Sequence, residues 1–157
     1  MPDGVNVLIS GQPCYGACDL DTFLMKRTDV FVHFGHSPMK ESEKIIYVPL
    51  FSNVEVTPIV ERAMAEELAS PDEDPDVGLV TTAQHMNKFD DMRAYLEERG
   101  YEVHTRRGDE RLTHEGQVLG CNYASAEVEA EQVLYVGGGK FHQIGRASCR
   151  ERVLRLV

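Results

Sequence analysis

The sequence predicts an α/β fold made of parallel βαβ units, and three observations carry that expectation. Short apolar, β-branched runs alternate with amphipathic helical stretches. Polar or glycine-rich segments follow the strand-like runs. A polar stretch with two prolines, Ser70–Asp76 (SPDEDPD), interrupts the pattern, which then restarts.

Taken in order, Val5–Ser10 (VNVLIS) reads as a strand and Asp19–Arg27 as a helix. Val30–Phe34 (VFVHF) and Ile45–Phe51 (IIYVPLF) read as strands, and a helix is expected from about Thr57 to Ala69. Pro58 falls in that helix's first turn, where its missing N–H costs nothing. Beyond the prolines, Val77–Thr82 reads as a strand, and Lys88–Arg99 as a helix closed by Gly100. Tyr101–Thr105 and a short Gln117–Gly120 read as strands, Ala124–Glu131 as a helix and Val133–Val136 as a strand. Heptads and low-complexity runs are absent from the sequence.

This pattern divides into a first α/β domain over residues 1–70, a linker over 71–76 and a second α/β domain over 77–143. Units of about 70 residues are small for isolated cores, so each is expected to lean on a neighbour. Val5–Ser10 opens the first domain with no element before it, and that domain reads as N-terminally incomplete.

The chain of 157 residues carries a net charge of −10. That balance argues against a nucleic-acid binder that works by neutralising phosphates. No apolar run reaches the ~18–20 residues of a membrane span, and no secretory signal opens the chain. The cytoplasm is the compartment expected. The densest acidic patch, Glu61–Asp76, is either a solvated face or the mark of a high-salt cytoplasm; the five lysines lean toward the second.

The last fourteen residues differ from the rest. Residues 144–157 hold four Arg and one Glu, and no element is recognisable in them. The run Ile144–Val153 (IGRASCRERV) resembles one frame of a short-read sequencing adapter, ATC-GGA-AGA-GCG-TCG-TGT-AGG-GAA-AGA-GTG. Residues 144–157, Cys149 included, are therefore set aside as an expected artefact.

In open parallel sheets ligands gather beyond the carboxyl ends of strands. Six segments of this sequence take that position: 14–19 (CYGACD), 34–37 (FGHS), 51–53 (FSN), 81–85 (TTAQH), 120–123 (GCNY) and 137–142 (GGGKFH). Their number points to one site shared between the domains. Cys14-x3-Cys18 lacks zinc-knuckle spacing, so buried structural thiols are the plain reading of the cysteines. Cys18 and Cys121 stand out because each follows a strand in a glycine-containing loop, one per domain; thiolates so placed suit an iron–sulfur cluster or zinc. His33 reads as a strand residue of the core or of a sheet face, and His104 and His114 as surface residues. His36, His85 and His142, in strand-end loops, either contact a ligand or fix their loops. Gly137–Gly139 is a potential anion cradle without nucleotide-motif spacing.

Five segments in order, Tyr15–Asp19 (YGACD), Gly35–Ser37 (GHS), Thr81–His85 (TTAQH), Gly116–Tyr123 (GQVLGCNY) and Gly137–His142 (GGGKFH), together resemble the archaeal type of 2-(3-amino-3-carboxypropyl)histidine synthase, a radical enzyme family of diphthamide biosynthesis. The likeness runs over nearly all of residues 5–143. It implies three related α/β domains in pseudo-symmetric array, each giving one Cys to a central 4Fe-4S cluster whose open iron binds S-adenosylmethionine. On it, Cys18 and Cys121 are the first and second ligands, the third ligand and domain are missing from this chain, and Cys14 is a spectator. His36, Gln84 and Gly138 are candidates to contact S-adenosylmethionine.

The reaction so implied moves a 3-amino-3-carboxypropyl radical onto a histidine of translation elongation factor 2. The resemblance also implies a homodimer, an electron donor, and no nucleic-acid or membrane partner. With two of three thiolates, the chain alone is expected to be inactive. A quinolinate-synthase-like iron–sulfur enzyme, a noncatalytic partner subunit and a thiolate zinc module stand as alternatives.

Overall fold

A computed structural model describes residues 4–39, 41–138 and, as backbone, 152–156. Two parallel sheets organise it. β1 (Phe31–Phe34) pairs with β2 (Ile45–Val48) in one. The second has the order β4-β3-β5-β6, with β3 at Asp76–Thr81, β4 at Glu102–His104, β5 at Gln132–Val136 and β6 at Arg152–Leu156. All of its pairings are parallel, as βαβ crossovers require. The fold class read from the sequence is the one found.

Helix α2 (Thr57–Glu66) has Pro58 in its first turn and buries Val60 and Ala63. These pack with Val77, Leu79 and Leu134 of the sheet and with Phe89, Met92 and Leu96 of α3 (Phe89–Glu97). The apolar core thus runs across residues 71–76 rather than stopping there. The proline-rich stretch is itself tied down: Ala69 N–H donates to Gln132 Oε1 at 3.0 Å, and Gln132 Nε2 donates to the Asp74 carbonyl at 3.0 Å.

Several expected elements are corrected. Val5–Ser10 forms no strand: it finds no partner among the described residues, and Val5, Val7, Leu8 and Ile9 are exposed. A β-prone run becomes a strand only when a neighbour takes its hydrogen bonds. The first helix shrinks to α1 (Thr22–Met25), because Asp21 accepts from Leu24 N–H at 2.9 Å and caps it there.

Residues 83–88 form a 3-10 helix leading into α3, which begins at Phe89. The helix expected over Ala124–Glu131 is only a 3-10 turn, Ala124–Ala126. Its apolar residues 124, 126, 128 and 130 recur every second position and give a helix no single face to bury. Gln117–Gly120 makes isolated bridges, Thr81 with Gln117 and Leu119 with Asn122, instead of a strand.

The region set aside at the C-terminus does contribute an element. β6 continues the sheet from Gln132↔Arg152 to Val136↔Leu156. The open edge of β5 offers unpaired backbone groups, which accept almost any extended segment regardless of its side chains. Cys149 lies outside the described residues, as do Gly139 to His142.

Candidate functional site

The loops beyond β1, β3 and the bridge at Gln117 meet at a cavity of about 240 Å3. Its lining includes Cys18, Asp19, His36, Gln84, Arg111's neighbour Cys121 and the flanking Gly120. Four of the five site residues expected from the sequence therefore face one space, although they lie up to a hundred residues apart. Gly138 does not line it. It sits exposed two positions past β5, and the rest of its loop is outside the described residues.

Each cysteine is presented by a loop held through its backbone. Around Cys18, Tyr15 N–H donates to the Asp19 carboxylate at 3.0 Å, and Asp19 N–H to the Gly16 carbonyl at 3.0 Å. This curls residues 15–19 into a compact turn with Ala17 inside and Cys18 exposed. Around Cys121, Leu119 and Asn122 exchange backbone hydrogen bonds of 2.9 and 3.1 Å, leaving Gly120 and Cys121 at the tip. Asn122 Nδ2 donates to Asp109 at 2.8 Å, and Tyr123 Oη donates to the Gly120 carbonyl at 3.1 Å, which fixes that tip from both sides.

Half-buried Gln84 and buried Gln117 clamp the loops of the two sheets together. Gln84 Nε2 donates to the Gly35 carbonyl at 2.9 Å, while the Gln84 carbonyl accepts from Ser52 N–H at 2.7 Å. Fully buried Gln117 donates through Nε2 to Ser37 Oγ and accepts His114 N–H at 3.0 Å on Oε1. Gly35 (φ +78°) lets the chain turn at the end of β1 toward His36. At Gly116 (φ +69°) an added Cβ would stand 2.2 Å from the Phe89 ring, so only glycine fits.

The electrostatics add one residue that sequence reasoning missed. Arg111 Nη2 donates to Asp109 at 2.5 Å and holds that carboxyl down at about 2. The Arg111 pKa is raised first by Asp109, with a smaller contribution from the charge of Cys121. The arginine–aspartate pair thus stands beside the second cysteine. Its only trace in the sequence is the spacing Asp109-x-Arg111 ahead of the GQVLGCNY segment.

Burial pushes the pKa of His85 down, and its Nδ1 is buried without a hydrogen-bond partner among the described residues. It does not line the cavity. His33, left open as a core or face residue by the sequence, faces inward on β1; burial, and then the nearby His36, lower its pKa. Cys14 lies outside the cavity lining, with its thiol 3.1 Å from the Asp19 carbonyl.

The family model for diphthamide synthesis proteins matches residues 2–156. The chain belongs to this family. It is 36% identical to the 2-(3-amino-3-carboxypropyl)histidine synthase of Pyrococcus horikoshii, an alignment that covers 98% of this chain and 46% of that protein. It is 28% identical to subunit 1 of the human synthase over 87% of this chain and 31% of that protein. Among solved structures, Dph2 from Pyrococcus horikoshii with a 4Fe-4S cluster superposes with a TM-score of 0.82 at 36% identity. That superposition covers 95% of this chain and 45% of the other. The diphthamide family member described here therefore spans less than half the length of these relatives.

Proposed function

We propose that the protein to which this chain belongs transfers the 3-amino-3-carboxypropyl group of S-adenosylmethionine to a histidine of translation elongation factor 2. One observation carries the reading: Cys18 and Cys121, from loops of two different sheets, line a single cavity with exposed thiols. Soft sulfur donors presented on backbone-fixed loops fit an iron–sulfur cluster. In this reading the two thiolates are the first and second cluster ligands, and a third comes from the part of the relatives' length that this chain does not span. A bound cluster of this type supplies one electron and an iron site open to substrate.

The chain's own residues have separate tasks. Asp19 and the Leu119–Asn122 turn hold the two thiolates in place before anything binds. Gln84 spends Nε2 on the Gly35 carbonyl, which keeps the loop of His36 against residues 82–84. Its Oε1 and the His36 ring are the groups proposed to meet the amino and carboxylate ends of S-adenosylmethionine. Arg111, paired with Asp109, puts positive charge near Cys121. The working protein is proposed to be a cytoplasmic homodimer served by an external electron donor.

The test uses the complete parent protein, loaded anaerobically with iron and sulfide and given carboxyl-labelled S-adenosylmethionine and elongation factor 2. Label is expected on the factor, and Cys18→Ser and Cys121→Ser should each abolish it. Label transfer that survives either substitution would overturn the assignment. The 157-residue chain alone, with two of three thiolates, is expected to transfer none.

A further inference from the structure

Cys14 lies outside the resemblance and outside the cavity, yet the fold places it in a cluster of its own. Cys14, His33 and His36 each offer one ligand atom within 4.8 Å of the others. We propose that these three side chains form a second metal site, for a zinc-type divalent cation, separate from the pair of thiols at Cys18 and Cys121.

The donors come from two segments brought together only by folding. His33 lies on β1 and His36 just after it, while Cys14 belongs to the loop that faces them. The His33 and His36 rings are 5.1 Å apart between centroids. Cys14 Sγ is 3.9 Å from His36 Nδ1. In a tetrahedral zinc site with ordinary Zn–S and Zn–N bonds, sulfur and nitrogen donors stand about 3.6 Å apart. The Cys14–His36 pair thus needs a contraction of a few tenths of an ångström, and the pairs with His33, which lie within 4.8 Å, close by side-chain rotation.

An independent observation points the same way. His33 retains only 7% of its exposure, and its Nε2 is buried without a hydrogen-bond partner among the described residues. Buried polar nitrogen without a partner is costly, and an inward-facing strand position would be better filled by an apolar residue unless the imidazole has a ligand to bind.

Two histidines and one thiolate make a borderline-soft set suited to zinc, and three protein donors leave the fourth position open. The Cys14 thiol lies 3.1 Å from the Asp19 carbonyl and 3.4 Å from that of Gly16, and metal binding would replace its S–H contact. A metal held here would fasten the loop of Cys18 to the end of β1. Ligation through His36 Nδ1 would leave the other ring nitrogen to donate toward a molecule in the cavity.

This inference does not rest on the cluster reading, and its test excludes the cluster thiols. The 157-residue chain carrying Cys18→Ser, Cys121→Ser and Cys149→Ser, stripped by a chelator, is titrated anaerobically with Co2+ as a zinc probe. One equivalent is expected to bind, with a sulfur-to-cobalt charge-transfer band and intense ligand-field bands, and Zn2+ should displace it. Adding Cys14→Ser should remove the charge-transfer band, since no other cysteine remains. His36→Gln, at a half-exposed position, should weaken binding by about tenfold or more, beyond the loss of an outer-shell partner. Circular dichroism checks that each variant is folded. Absence of the charge-transfer band in the Cys14-containing chain, or cobalt affinity unchanged by His36→Gln, would overturn the proposal.

Discussion

Residues 4–54 and residues 55–138 are built from similar β-branched runs but are packed very differently. In the second region the strands β3 and β5 are buried along almost their whole length, between α2 and α3 on one side and the Gln117–Ala126 segment on the other. In the first, only Ala17, Phe31 and Ile45 are buried apolar residues. Every large apolar side chain that is exposed among the described residues falls there, from Val5 to Val54, with Ile9 at 89% exposure. A groove of about 630 Å3 runs between residues 7–14, α1 and β1. The contrast teaches that an apolar run marks a segment for burial, but a second layer must exist before burial occurs. β1 shows both outcomes at once: Phe31 and His33 are buried, while Val32 and Phe34 face out.

The sharpest way to break this comparison is to cut into each region's apolar residues. Leu134→Ala, at a fully buried position, is expected to cost about 2–5 kcal/mol in urea unfolding. A cost below about 1 kcal/mol would show that the second region is not the stable core of the chain.

Two of the four positive-φ glycines among the described residues, Gly35 and Gly116, sharpen it further. Gly116→Ala and Gly35→Ala both force a side chain into left-handed backbone, a strain of about 1–3 kcal/mol. At Gly116 the new methyl also meets Phe89 at 2.2 Å, whereas at Gly35 the nearest atom is Leu50 Cδ1 at 3.7 Å. Thermal unfolding should therefore fall clearly further for Gly116→Ala. Equal losses would mean that packing around β3 is as loose as around β1.

Proton linkage gives a smaller effect that touches both regions. His33 in the first and His85 in the second have folded pKa values lowered by burial. The unfolded chain therefore binds more protons as pH falls below about 6.5, and stability present at neutral pH is lost as the solution is acidified toward the folded values. Denaturant midpoints measured at pH 7.5 and 5.5 should drop at the lower pH, and His85→Asn should reduce the drop. An unchanged drop in that variant would place the proton uptake elsewhere.

The smallest change is expected where the surface is most apolar. Val32→Ser and Ile9→Ser should each alter stability by no more than about 0.5 kcal/mol. Binding of a fluorescent apolar dye and precipitation at high concentration should both decrease. A large loss of stability from Val32→Ser would mean that the outer face of β1 is covered in solution.

Much of the candidate site was legible before folding because glycine, cysteine and short polar residues at strand ends are constrained by backbone geometry. Cys18, Cys121 and His36 could be named that way and Gln84 through the family resemblance, and they line one cavity. Arg111 could not, because its partner Asp109 and its neighbour Cys121 are set by a loop with no periodic pattern. Cys14 read as a spectator because it lies outside the family motif, and nothing local relates it to His33, nineteen residues on along the chain. Gln117 looked like a strand residue and proved to be the buried link between Ser37 and His114.

By itself, the amino-acid order determined the α/β class, the main strands and helices, and the loops that carry chemistry. These follow from period, caps and turn residues, which act over a few neighbouring positions. The tertiary structure alone decided which apolar faces found a cover and that α2 joins the core of the second sheet. It also decided which distant polar side chains meet, as in the Gln84 and Gln117 clamps and the Cys14–His33–His36 cluster. Such contacts depend on how whole layers stack, and no local pattern in the chain encodes the separation of two atoms that only the stacked layers bring together.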